Sequence, residues 1–174
     1  MKYNPEMHHR QSIRLQGYDY SNQGAYFVTI CTWNRENILG DVFNSVMQLN
    51  SFGEIVMKCW QDLPIHYKNI ALDEVAIMPN HVHGIIWING DIVGAGFKPA
   101  PTNIWHGLSE IIRALKTFSS RQMNKNRNTP GTPVWQRNYF DRVIRNEKEL
   151  HAIREYIINN PLQWDMDENN PLNW

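Results

Sequence analysis

The spacing of apolar positions changes several times along the chain, and each change marks an element. Ala25 to Trp33 (AYFVTICTW) is aromatic, β-branched and nearly uncharged, the pattern of a central strand buried on both faces. From Asn50 the spacing shifts to threes and fours. Phe52, Ile55, Val56, Cys59, Trp60 and Leu63 then form one stripe of a helix that Pro64 should terminate. Two short apolar runs, 74–78 and 81–88, flank Pro79-Asn80, a pair suited to a tight turn, and predict a hairpin. Asn89 to Asn103, carrying GAGFKPAP, follows neither period and predicts a loop.

Leu108, Ile111, Ile112, Leu115 and Phe118 restore helical spacing, with Arg113, Lys116 and Arg121 on the other sides. After the polar, turn-rich connector 124–133 (NKNRNTPGTP), Val134 to Ile144 supports a fourth extended segment. Asn146 with Glu149 three residues on is an asparagine version of the capping box. Leu150, Ile153 and Ile157 continue that helix until it ends near Asn160, before Pro161. The order is strand, helix, strand, strand, helix, strand and a terminal helix. This is an α+β, ferredoxin-like split βαβ arrangement (βαββαβ), an antiparallel sheet with helices on one face plus a C-terminal helix. The chain divides into a lead-in (1–24), one folded domain (25–164) and a tail (165–174).

Composition narrows the class. With 174 residues, 42% hydrophobic and 20% charged, and a mean hydropathy of −0.52, the chain suits one globular domain. It is too apolar for a disordered chain and too polar for a membrane bundle. The amino terminus lacks a secretory apolar stretch, and the longest apolar run falls far short of a bilayer span, so the expected place is the cytoplasm, with no membrane partner. Cys31 and Cys59 stand apart and read as two buried free thiols.

Seventeen basic side chains balance seventeen acidic ones, but the balance is not local. Residues 110–145 hold eight basic side chains against Glu110 and Asp141. Trp105, Phe118, Trp135, Tyr139 and Phe140 interleave with them, the mixture found where phosphates are neutralised and unpaired bases stack. A solvated helix face with a basic loop fits equally well. Arg113, Lys116, Arg121, Arg137 and Arg142 are the candidate DNA contacts.

Two further clusters could carry chemistry. His81 and His83, two apart in a predicted strand, leave the same face of the sheet with Cα atoms about 6.7 Å apart, and can converge on one ion. The spacing also serves a pair of core histidines with satisfied ring nitrogens. Tyr156 and Asn160, four apart on the last helix, share a face across about 6 Å of rise. From spacing alone, an aromatic flank and a polar helix end describe them as well or better.

The runs SIRLQGYDYSNQGAYFVTICTWNRE, LDEVAIMPNHVHGIIWI, VWQRNYFDRVIRNEKEL and REYIINNP together resemble the REP-associated tyrosine transposases, relatives of the single-tyrosine HUH transposases that act on single-stranded DNA. The resemblance runs from about Arg10 to Trp164, in the family's order. It implies a ferredoxin-like catalytic domain, with His81 and His83 of MPNHVH binding a divalent cation, Tyr156 as nucleophile and Asn160 as the third protein ligand. Many insertion-sequence members carry glutamine where Asn160 stands. Relatives work as dimers that exchange tyrosine helices, while some REP-associated members are monomeric, so the resemblance leaves homodimer and monomer both open. The implied partner is single-stranded DNA with a REP-like hairpin, placing the protein at the nucleoid.

These groups make chemical sense together. A tyrosine ester of the 5′-phosphate keeps the phosphodiester energy and frees a 3′-OH. A phenol with a pKa near about 10 needs help to attack at neutral pH, and a divalent ion absorbs charge on the phosphate oxygens. Two imidazoles and an amide suit Mg²⁺ or Mn²⁺ acting on phosphate, although zinc favours such imidazoles. A hairpin-binding protein derived from a transposase, without cleavage, is the alternative. A small-molecule metalloenzyme of the same fold is a third reading.

Overall fold

The computed structural model describes residues 22–89 and 106–173. Most of the lead-in and of the predicted loop 89–103, together with Trp105, lies outside the described residues. β1 (Gly24–Cys31) is followed by a short hairpin of β2 (Gly40–Phe43) and β3 (Val46–Leu49), then α1 (Ser51–Gln61) and α2 (Leu63–His66). β4 (Ile70–Ile77), β5 (His81–Ile88), α3 (Leu108–Asn126), β6 (Phe140–Ile144) and α4 (Glu147–Asn159) come next, and two 3-10 turns, Pro161–Met166 and Pro171–Asn173, end the chain. The main sheet runs β4-β5-β1-β6 with every neighbour antiparallel. That is the strand order of the split βαβ fold expected from the sequence.

Alternation along the strands sorts the core into two layers. Tyr26, Val28, Ile30, Val82, Ile86 and Ile88 face α1 and α3, where Trp60, Ile111, Ile112 and Leu115 close over them. Ala25, Phe27, Ile85 and Ile144 point the other way and meet Leu150, Ile153 and Ile157 of α4. α4 therefore packs alone on the face opposite α1 and α3. β5 is buried along almost its whole length because both layers need it.

The helix starts follow from side-chain caps. Asn50 accepts from the backbone N–H groups of Phe52 (2.9 Å) and Gly53 (3.1 Å), and Asn146 from that of Glu149 (2.9 Å). The Glu149 carboxylate reaches back to the Arg145 N–H (2.9 Å), one residue further than in a regular capping box.

Several sequence expectations are corrected. Pro64 does not stop the first helix, which ends at Gln61; it sits in the first turn of α2, where its missing N–H costs nothing. Phe118 is half exposed, and Ser119 and Met123 take the inward positions below Leu115. The fourth strand covers only 140–144. Trp135 makes an isolated bridge to Thr32, and the Lys116 ammonium holds the carbonyls of Gln136 and Asn138, both at 2.8 Å, so this stretch cannot continue the ladder. Trp33 falls in a 3-10 turn beyond β1. The β2–β3 hairpin was unforeseen. Its two turn residues, Asn44 (φ 49°) and Ser45 (φ 61°), are both left-handed, and Asn-Ser signals such a turn less strongly than Asn-Gly. Cys59 is buried, but Cys31 is only partly so.

Gly84 has a packing reason. A Cβ there would stand 2.4 Å from Cη2 and 2.5 Å from Cζ2 of Trp60, itself fully buried under the sheet. Gly84→Ala should lower unfolding free energy by about 1–3 kcal/mol, the usual penalty of overpacking, seen as a lower urea midpoint at unchanged slope.

Candidate functional site

The pleat of β5 delivers His81 and His83 to the α4 face, at the end of the strand nearest the Met78–Asn80 turn. Their ring centroids are 4.4 Å apart and both residues are buried. Burial drives both imidazoles down to a pKa of about 3. For His81, the nearby Asn160 side chain favours the proton and opposes burial; for His83, the proximity of His81 adds to it. Neutral imidazoles at physiological pH are ready ligands.

The tautomer of His81 is fixed from outside. Asn80 donates its amide to the carbonyls of Arg35 (3.0 Å) and Asn169 (2.7 Å), which turns its Oδ1 toward His81 Nδ1 at 2.9 Å. His81 must donate there, so its Nε2 carries a lone pair into the site, where no hydrogen-bond partner meets it. His83 is similarly held, with Nδ1 2.9 Å from Thr29 Oγ1 and Nε2 3.2 Å from the Tyr156 hydroxyl.

Tyr156 reaches His83 because α4 is pinned. Arg154, two residues before it, bonds both oxygens of Asp73, Nε to Oδ1 at 2.9 Å and Nη2 to Oδ2 at 2.6 Å. Trp87 Nε1 donates to the same Oδ2 at 2.9 Å. Asp73 follows Ile70 and Leu72 in alternation onto the α4 face, and the bulge just after it returns Val75 and Ile77 to the opposite layer. The Arg154 fork is the main force holding the Asp73 carboxyl down at a pKa of about 2, and the Trp87 bond adds to it. Phe27 stacks on His83 (5.4 Å) and meets Tyr156 edge-on (6.1 Å) and Phe140 (6.3 Å), so the phenol leans on an aromatic floor. Burial pushes the Tyr156 phenol upward, and the charges of Asp167 and Glu168 add to the rise.

Asn160 caps α4 and is almost fully buried beside the histidines, its Oδ1 without a hydrogen-bond partner and its Nδ2 3.4 Å from Asp167 Oδ2. Thus all four residues of the two sequence clusters meet. Asp167 joins them, although sequence reasoning left it in the tail: it is buried, with Oδ2 4.0 Å from His81 Nε2. One atom each of His81, His83 and Asp167 lies within 4.8 Å of the others, a set able to hold a metal. Asn80, Asp73 and Arg154 were also missed.

A cleft of about 460 Å³ opens over Tyr156, lined by Phe27, Thr29, His83, Gln136, Tyr139 and Phe140 among others. The candidate DNA contacts do not form one band. Arg113 (3.8 Å from Glu110) and exposed Arg121 lie on α3, across the sheet from the histidines. Lys116 is spent on the Gln136 and Asn138 carbonyls, and burial lowers its pKa to about 8. Arg142 pairs with Glu149 at 2.6 Å. Exposed Arg137 sits between the cleft residues Gln136 and Asn138. Among the described residues no helix is long and apolar enough to cross a membrane.

The fold is that of the tyrosine transposases. A solved structure of a REP-associated tyrosine transposase bound to a REP hairpin superposes with a TM-score of 0.59 over 86% of this chain and 74% of that one, at 16% identity. A Haemophilus influenzae protein named, provisionally, as a REP-associated tyrosine transposase is 26% identical over 149 residues, 83% of this chain and 74% of its own. The chain belongs to one family with a second protein of that organism, named only as uncharacterized, to which it is 41% identical over 175 residues, 96% of each. No family model matches. In sequence and fold together the chain resembles the REP-associated tyrosine transposases.

The Asp73–Arg154 pair yields a pH test. A carboxyl lowered in the folded state contributes stability above its unfolded pKa, near about 3.9, and loses it as pH falls toward 2. Asp73→Asn should therefore lower the melting temperature at pH 7, and the gap from wild type should begin to close below about pH 4. A gap constant down to pH 3 would mean that the ion pair contributes nothing.

Proposed function

We propose that the chain is a DNA-strand transferase that cleaves and rejoins single-stranded DNA beside a hairpin through a 5′-phosphotyrosine on Tyr156. The observation that carries this reading is the approach of the Tyr156 hydroxyl to 3.2 Å from His83 Nε2 at the floor of an open cleft. The two residues are 73 positions apart, and Tyr156, 40% exposed, keeps its hydroxyl on a buried imidazole although solvent is open to it.

The residues present suit a divalent cation, Mg²⁺ or Mn²⁺. His81 Nε2 and Asn160 Oδ1 are buried without hydrogen bonds, an arrangement that costs free energy unless something between them is positive. His81, His83 and Asn160 would hold the ion, which would neutralise charge on the non-bridging oxygens of the scissile phosphate. Tyr156 Oη attacks phosphorus, the P–O3′ bond breaks, and the strand leaves with a free 3′-OH. Rejoining reverses the same exchange, so no water or nucleotide is consumed. The raised phenol pKa means that Tyr156 starts protonated; with His83 Nε2 given to the ion, the phenol proton would pass to solvent in the cleft as the ester forms, and the departing 3′ oxygen would take one up.

Phe27, Tyr139 and Phe140 give the cleft aromatic faces for unpaired bases, and Lys116 stiffens its 136–138 wall. Exposed Arg137, between the lining residues Gln136 and Asn138, is the cation that meets a phosphate at the rim, with Arg113, Arg121 and Arg142 reaching DNA that continues around the domain. The hairpin in the related solved structure supports a REP-like hairpin as partner. Tyrosine and histidines meeting within one chain supports a site complete in cis, without exchange of helices.

Incubating the protein with end-labelled hairpin DNA carrying a single-stranded flank and Mn²⁺ or Mg²⁺ should give a denaturant-resistant adduct. Tyr156→Phe should abolish it, and His81→Ala with His83→Ala should lower cleavage at least about a hundredfold while hairpin affinity changes less than about threefold. Binding without any adduct in the parent protein would instead identify a non-cleaving hairpin binder. Arg137→Ala should weaken hairpin binding and reduce the slope of log K against log salt by about 1, as loss of one phosphate contact requires.

A further inference from the structure

We propose, resting on the metal-dependent reading above, that Asp167 is itself a ligand of the cation, so that the C-terminal 3-10 turns form part of the metal centre. Asp167 lies directly after the Pro161–Met166 turn, and nine-tenths of it is buried. Its Oδ1 is committed: it accepts from the Asn169 N–H (2.6 Å) and the Asn169 side-chain amide (2.9 Å). Its Oδ2 is not. That oxygen faces Asn160 Nδ2 at 3.4 Å and His81 Nε2 at 4.0 Å, both too long to compensate a buried negative charge. A carboxylate oxygen and a bare imidazole lone pair therefore stand 4.0 Å apart beside the buried Asn160 amide.

The spacing suits an ion. Ligand atoms about 2.1 Å from a Mg²⁺-sized centre lie up to about 4.2 Å from one another, and the two histidines and Asp167 already place theirs within 4.8 Å. Small side-chain shifts close the difference. The chemical consequence is a change in the donor set, from two imidazoles and an amide to one that includes a hard anionic oxygen. Such a set binds hard divalent ions more tightly than neutral donors do and compensates for the short reach of the Asn160 amide. The turn is tied back to the histidines a second time, because Asn169 O accepts from the Asn80 amide that orients His81. Occupying the site should then order the C-terminal segment, and ordering the segment should tighten the site, by equal free energies.

The test is a Mn²⁺ titration of the full chain, with free Mn²⁺ read by electron paramagnetic resonance, on wild type, Asp167→Asn and His81→Ala. The asparagine keeps an oxygen for the Asn169 N–H, so the turn is retained while the charge is lost. Asp167→Asn should weaken Mn²⁺ binding at least tenfold, and His81→Ala should weaken it further. Hydrogen exchange on wild type needs no variant: Mn²⁺ should slow the amides of residues 167–170. Affinity of Asp167→Asn within twofold of wild type, with His81→Ala impaired, would overturn the ligand role and leave the metal-dependent reading standing. Unchanged exchange in 167–170 at saturating Mn²⁺ would also overturn it. Wild type that binds no Mn²⁺ would overturn both.

Discussion

Keeping two imidazoles uncharged in the interior is the constraint around which the rest of this molecule is arranged. Protonated, His81 and His83 would place two positive charges with ring centroids 4.4 Å apart inside the fold. Burial forbids this at neutral pH, leaving lone pairs that must be aimed and used. The aiming is done by neighbours on other elements. Asn80 can present its oxygen to His81 only because the carbonyls of Arg35 and Asn169 take its amide hydrogens, so a turn, a left-handed loop residue and the C-terminal segment jointly set one ring. Thr29, directly opposite His83 in the β1–β5 register, does the same for the second ring.

Tyr156 is placed by a separate device on the same face. α4 packs through Leu150, Ile153 and Ile157, a stripe that fixes which side faces the sheet but leaves sliding along the helix axis weakly resisted. The fork of Arg154 on Asp73, with Trp87 on the same carboxylate, supplies the missing axial restraint. One residue pair beyond that anchor, Tyr156 falls beside His83, and one helical turn later Asn160 falls beside His81. An ion pair to the neighbouring strand thus sets the axial position of the helix that carries Tyr156 and Asn160.

What the sequence makes legible follows the range of the interaction. The strand pleat puts His81 and His83 on one face, and the helical repeat puts Tyr156 and Asn160 on another, without any tertiary knowledge. The four-stranded order was equally readable, because each strand and main helix carries its own period. That the two pairs meet is a tertiary fact, accessible from the chain only through family resemblance. Asp167 gave no signal: it lies in a polar stretch, DMDENNP, with no helical or alternating period, and its burial depends on contacts with Asn160 and the Asn80 turn. Asp73 sits where the bulge breaks the alternation of LDEVAI, so the pattern itself misleads there. Charge was the least legible. Eight basic residues close in sequence divide between two sides of a sheet, and Lys116 turns out to hold backbone carbonyls.

The hydrogen bond between Tyr156 and His83 also limits how the site can work. With Nδ1 committed to Thr29, His83 has one remaining ring nitrogen, and its lone pair can serve the phenol or a cation but not both. In this structure the tyrosine takes it. Coordination by His83 would release the phenol into the cleft, where the raised pKa set by burial and by the Asp167 and Glu168 charges would persist unless phosphate and cation arrived together. Neutralising Asp167 by coordination removes one of those two charges. The same event that would make His83 a ligand would therefore also ease formation of the Tyr156 phenolate, through residues already in contact.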